Sequence, residues 1–191
     1  MPVSADAPML AFEPVDIAYL ADGAVRGRND LREELIIGQR GRSTKLVMRF
    51  AVAIPPEEKL QRALLVMDPL PRCPRQPGRV RLEVAHVLAP WKSAELSAAS
   101  PPELSLPMYA GDVTVTPEKA LRVDVTDVVR QWATHRSRYH GLALQGVGDS
   151  ATGACFTSGV AWGRGPRLEI CLLYTSPSPR DLSTSRMPSS A

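Results

Sequence analysis

The 191-residue sequence predicts an all-β fold, an antiparallel β-sandwich with jelly-roll-like connections and one short capping helix near 126–135. Three observations carry this expectation. Apolar and polar residues alternate with period two along most of the chain, which is how a strand with one dry face reads. Turns rich in Pro, Gly and Asp divide these runs into about ten short strands. Only one stretch has helical spacing, so no helices intervene to build a parallel sheet.

The clearest strand is 45–50, where Leu46, Met48 and Phe50 share a face and Lys45 and Arg49 point away. In 79–84, Val80, Leu82 and Val84 alternate with Arg79, Arg81 and Glu83, and in 121–125, Leu121, Val123 and Val125 alternate with Arg122 and Asp124. Leu142 and Leu144 repeat the pattern, as do Leu168 and Ile170 against Arg167 and Glu169. Shorter candidates are 17–20, 35–37, 60–67, 113–115 and 154–158. The helix follows from Val125, Val128, Val129 and Trp132, whose spacing makes one apolar stripe and places Trp132 in the core. Thr126 is the expected N-cap, Asp127 complements the helix dipole, and Gly141 lies where the chain turns into the next strand. Two Pro-rich stretches, 69–77 and 101–107, read as surface loops. The longest stretch without strand signals is 89–108, and loops of that length in compact domains are often functional.

Composition narrows the class of function. Hydrophobic content of 44% and charged content of 23% are those of an ordinary globular chain. The net charge of +3 is spread among acids, and the basic run His135-Arg136-Ser137-Arg138-Tyr139-His140 fits a solvated helix end, so no nucleic acid is expected as partner. No run of about 18 apolar residues exists, so no membrane insertion is expected. The N-terminus has no basic start followed by an apolar stretch, so the chain is expected in the cytoplasm if Met1 is the true start. Cys73, Cys155 and Cys171 match no metal spacing, and their odd number argues against a disulfide framework.

Composition changes at Cys171. Six of the last 21 residues are Ser and three are Pro, without periodicity. The run from Cys171 to Asp181 reads as the translation of a transposase mosaic end and adapter used in sequencing libraries, and the run from Ser185 to Ala191 resembles a translated flow-cell adapter. The expected organisation is a lead over 1–11, the sandwich over 12–170, and a disordered, adapter-derived tail over 171–191. Without the tail, Cys73 and Cys155 remain as a candidate pair.

Four segments in order resemble one family: Asp16 to Tyr19; Leu35 to Gly38 followed by Leu46 to Phe50, Ile54 and Pro55; Val123 to Trp132; and Tyr139 to Gln145 leading to Phe156 to Ser158 and Pro166 to Ile170. Together, over about 12–170, they are similar to the DNRLRE-type domain, a family 96 carbohydrate-binding module related to disaggregatase repeats. The resemblance implies a β-sandwich of bacterial or archaeal extracellular proteins. Such a module sits beside polysaccharide-active enzymes or serves at the cell surface in adhesion.

Sugar rings stack their C–H faces on flat side chains, so the candidate platforms are Trp162, Trp91, Tyr109 and Tyr139. Trp162, between Ala161 and Gly163, is the first choice, although Trp162 and Trp91 serve equally as covers over the ends of a sandwich. Calcium needs several oxygen ligands, and Asp22, Asn29 and Asp30 in one loop with Asp149 in another are the candidates, against the simpler reading of turn-forming residues. The three histidines, His86, His135 and His140, form no catalytic motif. A strand-borne Cys155 reads as a small buried hydrophobe before a nucleophile. The expected function is therefore non-catalytic: a module binding polysaccharide, or a structural and adhesion module packing against neighbouring domains.

Overall fold

The structure is a computed structural model that describes residues 9–54, 58–71, 78–116, 118–135, 139–148, 153–160 and 163–174. It is an all-β sandwich. In chain order the strands are β1 (Met9–Phe12), β2 (Pro14–Ala21), β3 (Ala24–Gly27), β4 (Glu34–Ile37), β5 (Thr44–Phe50), β6 (Glu58–Met67), β7 (Gly78–His86), β8 (Tyr109–Val115), β9 (Leu121–Asp124), β10 (Leu142–Gly148), β11 (Ala154–Thr157) and β12 (Arg167–Tyr174). The helix α1 (Thr126–Thr134) lies between β9 and β10. A four-stranded sheet has the order β1-β12-β6-β9 and a six-stranded sheet the order β3-β2-β5-β10-β7-β8, while β11 and β4 form a two-stranded sheet. All registers are antiparallel, and the chain crosses repeatedly between the two large sheets.

Alternation places the core. Leu46 and Met48 from β5, Leu82 and Val84 from β7, and Leu142 and Leu144 from β10 meet Leu65, Met67, Val123, Leu168 and Ile170 from the opposite sheet in one buried cluster. Leu35 and Phe156 of the small sheet join it, as do Val125 at the N-cap of α1 and Val128 and Val129 on the helix. Each such side chain contributes about 2 kcal/mol by leaving water.

The six-stranded sheet is covered on its outer face too. Small residues, Ala18 on β2, Val47 on β5 and Ala143 on β10, stand side by side there, and Val87 and Trp91 pack on them. The covering residues belong to 87–104, within and beside the stretch that sequence alone leaves without strands. Asp16 ties this strap down: one carboxyl oxygen accepts the Ser93 N–H at 3.0 Å, and the same oxygen lies 3.6 Å from Arg49. The strap is thus a second, smaller core.

Several expectations need adjustment. Residues 9–11, expected as a lead, pair with β12 as part of an edge strand, Met9 opposite Cys171. β12 continues beyond Ile170 through a register shift between Cys171 and Leu172, and Tyr174 pairs with Glu58. Residues 171–174 are therefore strand rather than disordered tail, and 175–191 lie outside the described residues. Thr126 is not the N-cap: Val125 holds that position without a side-chain bond. Instead Thr126 is the first helical residue, and its N–H and hydroxyl both donate to Asp124 Oδ1, at 3.1 and 2.6 Å. Trp132 packs against the core but is only half-buried.

Gly141 has a specific reason to be glycine. Its φ is +141°, and a Cβ there would sit 2.3 Å from the Met48 carbonyl oxygen. Cys155 is disulfide-bonded, so it is neither a free nucleophile nor a simple buried thiol. Cys171 is a buried free thiol whose S–H donates to Gln61 Oε1 at 3.0 Å. Cys73 lies outside the described residues.

Candidate functional site

The four candidate platforms meet different fates. Trp91 is only 7% exposed, and its indole N–H donates to the His140 carbonyl at 3.1 Å. It packs in one buried cluster with Ala18, Val47, Val87 and Ala143. It is a structural cover rather than a platform. Tyr139 stacks on His86, with ring centroids 3.9 Å apart and planes at 17°, so one face is already occupied. Trp162 lies outside the described residues. Tyr109 remains.

Tyr109 opens β8, the edge strand of the six-stranded sheet, and its ring is half-buried against the core. Gly111, two residues along the same face, gives the ring its place: a Cβ there would lie 2.8 Å from the phenol oxygen and 3.1 Å from Cζ. Tyr109 also lines a cleft of about 490 Å³ between this edge and the corner formed by β6, β9 and the start of α1. Gln61, Arg62, Met108, Asp124 and Asp127 also line it. Four separate segments thus meet around one aromatic ring.

The polar side chains of this cleft are held in place. Partial burial raises the Asp124 pKa, but hydrogen bonds from Thr126 and the Arg62 guanidinium outweigh this and hold the carboxyl below its ordinary range. Arg62 Nε stands 3.5 Å from Asp124 Oδ2. Thr126 is itself fixed, since its hydroxyl accepts the Ala63 N–H at 3.0 Å. Asp127 pairs with Arg130 one turn further along α1 and is 82% exposed. The arrangement offers hydrogen-bond acceptors and donors beside a flat ring, which suits binding of a hydroxylated ligand.

Two other clefts are present among the described residues. One, of about 240 Å³, brings together Glu13, Arg28, Leu31, Ser158 and Arg164. It lies between the turn after β3, at Arg28 and Leu31, and residues 158–160 and 163–166. Arg28 is committed there, donating to the carbonyls of Pro14 and Val15 at 3.0 Å each. The other, about 350 Å³ and apolar, lies between residues 50–54 and the Val129 and Trp132 face of α1.

Of the calcium candidates, Asp22 is not in one loop with Asn29 and Asp30. β3 separates Asp22, in the turn before it, from Asn29 and Asp30 after it, a span of about 13 Å along four residues. Asp22 has a φ of 51° and its carboxylate sits 3.5 Å from Arg42. The Asp30 N–H closes a turn on Gly27 O, and Asp149 lies outside the described residues. Among the described residues no three His, Cys, Asp or Glu gather as a metal would need.

The chain matches no family model and no curated protein.

Of the histidines, His86 is fully buried on β7 and neither ring nitrogen has a hydrogen-bond partner. Burial lowers its pKa to about 4. Its surroundings are those of a packing residue. On the outer face of the four-stranded sheet, Arg167 bridges Asp68 and Glu169 at 2.9 Å each, and Glu169 accepts from Arg122 at 2.7 Å. Burial would lower the Arg167 pKa, but its two carboxylate partners raise it.

Proposed function

We propose that this chain is a non-catalytic module that binds polysaccharide within an extracellular or cell-surface protein, as its resemblance to the DNRLRE-type domain implies. The observation that carries the reading is the cleft beside Tyr109, where an aromatic ring faces Gln61, Arg62 and Asp124 at an open sheet edge. Such a site has the two elements a sugar needs, a stacking surface and fixed partners for hydroxyl groups. The disulfide-bonded Cys155 supports an oxidising compartment for the protein. A glycan array probed with the purified chain tests the reading. Binding to at least one polysaccharide without release of reducing ends is expected, and silence across the array would defeat it.

A second reading is a structural or adhesion module without sugar affinity. It is favoured by the internal use of Trp91 and Tyr139, and by the open edge at β1, where Met9 and Leu10 are each 45% exposed. It predicts association with neighbouring domains or with copies of the chain, measurable by light scattering.

A further inference from the structure

We infer that the β1 edge is a self-association surface, at which two copies of the chain pair antiparallel, Leu10 against Leu10, and join their four-stranded sheets into one. The inference rests on the structural or adhesion reading, whose partner it names, and it stands apart from sugar binding.

Four strands bound the two large sheets, β1 and β9 on one, β3 and β8 on the other. An edge strand presents unpaired N–H and C=O groups, and a charged side chain on it discourages pairing with another chain. β3 carries Arg26, β8 carries Asp112, and β9 carries Arg122 and Asp124. β1 is Met-Leu-Ala-Phe, without a charge. Its core-facing side is also incompletely covered. Leu10 stands opposite Ile170 and Phe12 opposite Leu168, so both point to the dry face of the sheet. Ile170 is fully buried there, whereas Leu10, one strand further out, is 45% exposed.

A second copy supplies the missing cover. Two sheets continue as one when a two-fold axis stands perpendicular to them, so that dry face meets dry face and opposed residues share a side. Centred on Leu10, such pairing sets Leu10 against Leu10 and Met9 against Ala11. Each leucine then covers the other, and the apolar face runs on from one copy into the next. Centred on Ala11 instead, the pairing would set Met9 against the charged Glu13. The Leu10 register also holds the two Glu13 carboxylates about 20 Å apart, on opposite sides of the axis, so no like charges meet. The paired strands are only four residues long, which makes the dimer weak and reversible.

Light scattering of the intact chain from about 10 µM to about 1 mM provides the first measurement. A rise in mass from monomer to dimer, and no further, is expected. Leu10→Lys should move its midpoint to roughly tenfold higher concentration or beyond. If melting curves show that this variant folds poorly, a cross-link carries the test. In a Cys171→Ser background, Leu10→Cys should give a disulfide-linked dimer under mild oxidation, because directly opposed residues on antiparallel strands bring their Cβ atoms within disulfide reach. Val15→Cys, at an equally exposed position on β2, should stay largely monomeric. A dimer that persists in Leu10→Lys, or equal cross-linking at positions 10 and 15, would overturn the placement at β1 and leave the structural or adhesion reading standing. Growth past the dimer would overturn the two-fold pairing. A chain monomeric at every concentration would remove the inference, and the reading beneath it would then rest on neighbouring domains alone.

Discussion

His86 and Tyr139 lie ring on ring, 3.9 Å between centroids, and the imidazole is sealed from water with neither nitrogen bonded. A sealed imidazole is comfortable only when neutral. Its pKa drops from 6.5 unfolded to about 4 folded, so between these values the unfolded chain binds a proton that the folded chain refuses. Stability should be flat above neutral pH and fall as pH drops from 6.5 towards 4, by roughly 3 kcal/mol at the lower limit. His86→Leu should remove that slope in urea melts recorded across this range. Loss below about pH 4.5 would remain, because Glu169, held low by Arg122 and Arg167 against the effect of burial, loses its contribution as it protonates. An unchanged slope in the variant would mean that the proton is taken up elsewhere.

Arg167 joins Asp68 to Glu169 across the open face of the four-stranded sheet with its side chain only 8% exposed. Removing it leaves two carboxylates without their shared cation. Arg167→Ala should therefore destabilise by about 3 kcal/mol, more than an exposed ion pair is worth. Arg62→Ala, whose pair with Asp124 is half in water, should cost under about 1 kcal/mol by the same denaturation measurement.

Trp91 holds the strap on Ala18, Val47 and Ala143. Trp91→Ala should cost about 3–5 kcal/mol and make residues near 91–104 the first site of limited proteolysis. If cleavage instead began elsewhere with the strap intact, the second core would not depend on that ring.

Two glycines offer a paired comparison. At Gly111 an added methyl meets the far end of the Tyr109 ring, which can swing aside, whereas at Gly141 it meets the backbone oxygen of Met48 at a φ of +141°. Gly111→Ala should leave the melting temperature nearly unchanged and, on the polysaccharide reading, weaken binding on a glycan array by displacing the ring. Gly141→Ala should cost more than about 2 kcal/mol. Equal costs at the two positions would contradict the geometry.

Much of the sandwich is legible in the amino-acid order because alternation is a local signal. Runs such as 45–50 and 79–84 state their inner faces within six residues. β1 is not legible, since Met-Leu-Ala-Phe alternates nothing and earns its strand only by pairing with β12 at the far end of the chain. β3 is equally silent, with four residues ending in Gly27, and without it Asp22 and Asn29 read as one loop. Trp91 carried no sign of its burial because the space it fills is made by small side chains on three other strands. The cleft of Tyr109 has the same character: Gln61, Arg62 and Asp124 come from strands that only the sheet order sets beside β8. Tyr109 is legible as an aromatic, and its partners are not.

The strap has one more effect. β5 and β10 occupy the middle of the six-stranded sheet and are shielded above and below, by the main core on one side and by Trp91 and its neighbours on the other. Their amide protons should exchange with solvent more slowly than any others, opening only when the whole domain does, while the margins of both sheets breathe independently. Flanking segments can then shift around a centre that does not move.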